Sequence, residues 1–315
     1  MKKRFVALIL AVLCAVLCFT ACTDNKDEKS DGKLKVVTTI FPPYDFAKQI
    51  GGEYVDVSML LKPGMESHNF DPTPQDIIKI QDADMFIYVG GESDEWVKDI
   101  LESGDKKPSC IIELMKVTDN VAEETVEGMT AEKEEDSDEI EYDEHVWTSF
   151  KNAELIVEAI QTKLCELDNK NKDTYVSRAK DYTKQLGDLE KEYQNAVDNA
   201  KNKTLIFADR FPFRYLADEF GLSYYAAFPG CSAETEPSAA TVSFLIEKVK
   251  EKKIPVVFTI EFSNGKIADT ICEATGAKRL EMHSCHNLSS EMFENGETYI
   301  SLMKKNLVNL EEALA

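Results

Sequence analysis

Four histidines occur in the 315 residues, and three stand where a cation could be held. His68 lies in KPGMESHNFDPTP, a stiff Pro-Gly turn that follows an apolar run and ends at a helix opening. His145 closes an acidic segment in DEHVW, and His283 follows an apolar run in EMHSCHN. Neutral imidazole is a ligand for zinc-class ions. A single histidine is more often a surface or hydrogen-bonded residue, so the argument rests on the three together. Three imidazoles with one anion or water suit tetrahedral zinc, whereas manganese, the alternative, prefers more oxygen donors.

The elements that must position these residues follow from alternating apolar runs and helical patterns. Val36–Thr39, Val55–Leu61, Met85–Val89 and Cys110–Ile112 read as strands, with helix-like segments at Tyr44–Ile50, Pro74–Gln81 and Glu95–Glu102. Thr73, Pro74 and Asp76 together form a helix-start signature. The pattern returns in Leu205–Ala208, Ser223–Ala227, Val256–Ile260 and Arg279–Met282, accompanied by helices near Phe213–Phe220, Ala239–Lys252, Ile267–Ala274 and Glu297–Ala313. Strands alternating with helices imply parallel sheets. The fold class is therefore α/β: two lobes, each a mostly parallel four-stranded sheet with helices, joined by one long backbone helix. That helix is expected over 171–200, where Ala179, Tyr182, Leu186, Leu189, Tyr193, Ala196 and Ala200 form an apolar stripe. Gly187 is its weak point.

The remaining segments bound location and class. Residues 1–21 read as a signal peptide, with Lys2, Lys3 and Arg4 before an apolar run too short to span a membrane comfortably. Thr20 and Ala21 precede Cys22 as in a bacterial lipobox, so Cys22 is the expected lipidation site and 22–33 a polar tether. The first lobe then occupies 34–170 and the second 201–315. A formal charge of −22 repels nucleic acid and attracts cations. Half of Asp119–Glu144 is acidic against the single base Lys133, which reads as a mobile loop able to gather divalent ions weakly. An odd number of cysteines after Cys22 does not describe a disulfide framework, and Cys285 alone has a suggestive neighbourhood.

From Leu34 onward the chain resembles the substrate-binding lipoproteins of zinc and manganese ABC importers. PGMESHNFDPTPQD carries the most specific part of that likeness; DEHVW, EPSAATVSFLIEKVKEKKIPVVFTIEFSNGKIADTICEATGAK and the closing TYISLMKKNLVNLEEAL extend it. The resemblance implies His68, His145 and His283 as metal ligands, with Zn2+ (alternatively Mn2+) as the transported ion. It further implies a cognate ABC permease as partner, and a monomer exported and lipid-anchored on the outer face of the cytoplasmic membrane. After DEHVW the family usually continues Leu-Asp-Pro, where this chain has Thr148, Ser149 and Phe150. Arg210 falls in ADRFPFRYLADEFGL where relatives commonly carry a third ligand, and arginine cannot coordinate a cation. A pair between Arg210 and a carboxylate such as Glu261 is expected instead. His283 takes the place of the family's usual last aspartate. Asp209, Glu261, Cys285, His286, an acidic-loop carboxylate and water remain open as the fourth ligand. The competing classes are a zinc hydrolase, for which no HExxH helix or placed general base is present, and an adhesin with structural metal.

Overall fold

The computed structural model describes residues 32–65, 70–104, 106–130, 141–232 and 236–315. Cys22, His68 and the middle of the acidic segment, 131–140, lie outside the described residues. Among the described residues, no helix is long and apolar enough to cross a membrane.

The first half builds a sheet from β1 (Leu34–Thr38), β2 (Val55–Met59), β3 (Met85–Tyr88) and β4 (Cys110–Glu113). The second half builds another from β5 (Thr204–Arg210), β6 (Ser223–Phe228), β7 (Val256–Thr259) and β8 (Lys278–Glu281). All pairings are parallel, in the orders β2-β1-β3-β4 and β6-β5-β7-β8. Central strands of such sheets are covered on both faces, which is why they read as continuous apolar runs rather than alternating ones. Met85, Phe86 and Ile87, and likewise Val257 and Phe258, are fully enclosed.

Helices α1 (Phe41–Gly51), α2 (Pro74–Gln81), α3 (Glu95–Ser103), α4 (Leu114–Val117) and α5 (Phe150–Leu167) belong to the first half. The signature before α2 is realised: Thr73 Oγ1 accepts from the Asp76 amide and Asp76 accepts from the Thr73 amide. The long helix is α6 (Lys172–Asp198), 27 residues or about 40 Å at 1.5 Å each. Its buried stripe is Tyr175, Ala179, Tyr182, Leu186, Leu189, Tyr193 and Val197. The stripe uses Val197 where the expected spacing gave Ala196, because 3.6 residues per turn drift from a strict heptad, and Ala200 lies beyond the end of the helix. After it come α7 (Arg214–Phe220), α8 (Ala239–Lys252), α9 (Lys266–Thr275), α10 (Ser290–Glu294) and α11 (Tyr299–Leu314).

Helix α6 packs on α1, α5 and α11. One unbroken cluster of buried side chains runs from Val36 and Ile87 in the first sheet, through Tyr182, Leu186 and Leu189, to Phe207 and Phe258 in the second. Hydrogen bonds cross the same seam. The Tyr193 hydroxyl donates to the Met303 carbonyl at 2.7 Å, and buried Asp45 of α1 accepts from the Tyr299 amide at 2.9 Å. The Tyr299 hydroxyl donates to the Trp147 carbonyl at 2.6 Å.

The arms of the acidic segment are not loose, contrary to expectation for that part. Ala122 and Tyr142 form an antiparallel bridge, flanked by Glu123 N–H to Glu141 O at 3.0 Å and Asp143 N–H to Val121 O at 3.1 Å. Thr130 donates its amide to Ala227 of β6 at 2.9 Å. Backbone pairing at the base overrides the self-repulsion read from composition.

Candidate metal centre

In parallel sheets, ligands collect outside the carboxyl ends of the strands at the point where strand order reverses. Here both sheets reverse between their inner strands, β1/β3 in one and β5/β7 in the other. One small cavity is lined by His145, Arg210, Gly230, Glu261, Ser284 and His286, among others. A second is lined from the first half by Thr39, Leu61, Val89, Ser93, Asp94 and Glu144, and shares His286. Their volumes are about 30 and 20 Å³. That is room for an ion or a water or two, far below the roughly 300 Å³ at which small-molecule sites begin.

His145 is almost completely buried. Its Nδ1 lies 3.0 Å from Asp143 Oδ1, which also accepts the His145 amide at 2.8 Å. A carboxylate on Nδ1 orients an imidazole and makes Nε2 the nitrogen to present to a cation. Burial works against protonating the ring, but Asp143, Glu144 and Glu123 together outweigh it and hold its pKa above the ordinary imidazole value. Glu144 reaches the other way, accepting the Ser93 amide at 3.0 Å. Gly91, at φ +74°, permits this: a Cβ there would meet Glu144 Oε1 at 2.3 Å.

The loop after β8 brings a different histidine to the cavity from the one expected. His283 does not line either cavity. Its Nδ1 accepts the Cys285 amide at 2.9 Å, its backbone is clamped by Asn306 of α11, and its Nε2 is enclosed without a hydrogen-bond partner among the described residues. Cys285 then adopts φ +64°, a left-handed turn unusual for a side-chain-bearing residue, and His286 follows it into both cavities. The His286 ring centroid lies 5.6 Å from that of His145 and 5.0 Å from that of Trp147.

Neither the position of Trp147 nor that of Asn287 was apparent from the sequence. Trp147 Nε1 donates to the Ser284 carbonyl at 2.8 Å, tying the His145 loop to the His286 loop. The Asn287 amide donates to the Lys62 and Met65 carbonyls, both at 2.8 Å, and Gly64 N–H reaches Leu288 O at 2.7 Å. Met65 and Phe70, which flank His68 in sequence, line one cavity each.

Of the open candidates for a further ligand, Glu261 lines the first cavity, while Asp209 and Cys285 line neither. Glu261 accepts from both the amide (2.8 Å) and the hydroxyl of Ser284. Asp209 caps the Arg210 amide at 2.9 Å, next to a register shift in the β5–β6 pairing, and burial pushes its carboxyl up. Arg210 lines the cavity with Glu261, and its guanidinium donates to the Ser232 carbonyl at 3.4 Å.

A family profile described as "ZnuA: Zinc-uptake complex component A periplasmic" matches residues 36–313. The chain is 35% identical over 316 residues to the zinc-binding lipoprotein AdcA of Streptococcus pneumoniae, covering 99% of this chain and 61% of that protein. It therefore spans about three fifths of AdcA. It is also 35% identical over 290 residues to the high-affinity zinc uptake system protein ZnuA of Bacillus subtilis, covering 91% and 89% of the two chains. The crystal structure of the Zn(II)-bound ZnuA-like domain of Streptococcus pneumoniae AdcA is similar at TM-score 0.73 and 33% identity, covering 90% of this chain and 99% of that one. The metal-dependent lipoprotein YcdH from Bacillus subtilis gives TM-score 0.76 at 33% identity, with 90% and 100% covered. With parallel sheets in the same α/β plan and a profile match across nearly the whole described region, the chain belongs to the ZnuA family.

Proposed function

We propose that this protein captures one zinc ion between the carboxyl ends of its two sheets and delivers it to an ABC permease. The observation that carries the reading is the convergence of His145, from the first half, and His286, from the second, on an ion-sized cavity. His68 is the third nitrogen donor in this proposal, on the stretch between Met65 and Phe70. His286 takes the ligand role that the sequence assigned to His283. Glu261 or water completes a tetrahedral shell. Manganese is less suited, because the donors are mainly imidazole. Lipidation at Cys22 holds the monomer at the outer face of the membrane.

The chain's own residues supply most of the mechanism. Asp143 fixes the tautomer of His145, Trp147 locks the two ligand loops together, and Asn287 anchors the His286 loop to the turn before His68. Capture displaces water from a preformed seat, and release requires the permease to disturb one of these loops. Calorimetric zinc titration of the full chain tests this. His286→Ala and His145→Ala are expected to weaken binding more than about 100-fold, beyond the 10–100-fold typical of outer-shell partners. Parent-like affinity in both would end the proposal.

A further inference from the structure

Beside His145 a second set of donors converges. Ligand atoms of Asp143, His145 and Cys231 all lie within 4.8 Å of one another, the one such mixed set of three among the described residues. Asp143 and His145 are buried and Cys231 is partly so. Cys231 arrives from the other half of the molecule, in the turn after β6, where its amide donates to Glu123 Oε1 at 2.9 Å. The preceding Gly230 makes this approach feasible. A Cβ there would lie 2.9 Å from Asp143 Oδ2, 3.0 Å from the Phe211 carbonyl and 3.3 Å from His145 Nδ1. A glycine thus brings the thiol-bearing backbone against the very atoms that hold the imidazole.

We infer that Asp143, His145 Nδ1 and Cys231 Sγ form a second, softer seat for a borderline or soft divalent cation, alternative to the cavity seat at His286. Thiolate, imidazole and carboxylate are the donor types of zinc sites, with metal–ligand bonds of about 2.0–2.3 Å. Tetrahedral donors at those lengths stand roughly 3.3–3.8 Å apart, so the set has only to contract by about 1 Å. Glu123, already bonded to the Cys231 amide, is placed to keep that turn in position.

Seating the ion forms bonds from it to Sγ, Nδ1 and an Asp143 oxygen. It breaks the Sγ–H bond, whose proton leaves to solvent, and the hydrogen bond between Asp143 and Nδ1. The ring proton moves to Nε2, so His145 cannot serve the cavity at the same time. The two seats are therefore mutually exclusive, and the protein holds one ion whichever is filled. A soft cation shifts toward Cys231, and a harder one stays with the imidazoles. The inference shares His145 with the proposed zinc site but does not depend on it.

Cobalt(II), added alone to the full chain under reducing conditions, reads the two seats separately. Thiolate coordination gives a ligand-to-metal charge-transfer band in the near ultraviolet that imidazole and carboxylate do not. The expected result is a band that is lost in Cys231→Ser, retained in Cys285→Ser, and stronger in His286→Ala, at one cobalt per chain throughout. Protection of Cys231 in the parent from alkylation by one equivalent of zinc or cadmium, mapped by peptide mass, needs no variant and covers any folding defect. No Cys231-dependent band in either the parent or His286→Ala, with Cys231 alkylated as fast with metal as without, overturns the second seat. Cobalt bound without that band leaves the cavity site standing, whereas loss of all binding in Cys231→Ser with none in His286→Ala overturns the cavity site alone.

Discussion

His283 and His286 are three residues apart, and the backbone between them decides which one meets the cavity. Asn306 and the Cys285 amide occupy the surroundings of His283, and the positive φ at Cys285 swings His286 inward. His283→Ala is accordingly expected to change zinc affinity by less than about tenfold, against the larger loss in His286→Ala, in side-by-side competition titrations. The sequence offers no sign of that turn, since nothing marks a cysteine for the left-handed region; its place after the strand and the family resemblance both favoured His283. His145, by contrast, was legible from DEHVW, because the aspartate two residues ahead is what the folded loop uses to hold the ring. Proton competition follows from the same contact. The acids around His145 raise its pKa, so zinc affinity is expected to fall as pH drops from neutrality, beginning earlier than for an isolated imidazole. Asp94 shows the opposite kind of cost. Burial lifts its carboxyl from 3.8 to about 7, with the Val89 and Gly90 amides opposing that rise. Its contribution to stability is complete below about pH 3.8 and is lost as pH rises toward 7. Asp94→Asn is expected to flatten that slope in urea midpoints of the metal-free protein; an unchanged slope would place the titration elsewhere.

At the scale of elements, the central strands were readable because buried parallel strands carry unbroken apolar runs, and α6 because its stripe is long. The short α4 and α10 carry too few residues to show a period. Gly187 sits within α6, and a Cβ there would meet only Glu154 Oε1 at 3.5 Å, an ordinary contact. Gly187→Ala should therefore stabilise the protein by up to about 1 kcal/mol, read as a higher denaturant midpoint. Trp147→Phe keeps an aromatic ring but removes the donor to Ser284. About 1 kcal/mol of stability is expected to go with it, together with faster amide exchange in the His286 loop. No change in exchange would mean that the contacts of Asn287, Asn306 and Glu261 hold the loop without Trp147.

For the whole molecule, the continuous core through α6 sets how far the halves can move. Opening them widely would expose Leu186, Leu189 and Tyr193, each almost wholly buried, at about 1.5–3 kcal/mol per large side chain. Small-angle scattering of the full chain with and without zinc is expected to show nearly the same radius of gyration, with the response confined to loops. The two-lobe plan was legible in the sequence as a repeated order of strands and helices. The contacts that make one unit of them were not, because Asp45 with Tyr299 and Tyr193 with Met303 pair residues more than a hundred positions apart. Those long-range pairs also bear on how the protein is born. Synthesis delivers the chain from its amino end, so His145 and its loop emerge well before Tyr299, whose hydroxyl secures the Trp147 carbonyl beside them. Until α11 has docked, the Trp147 carbonyl lacks its Tyr299 donor, so a chain cut short ahead of that helix is expected to hold the His145 loop less firmly.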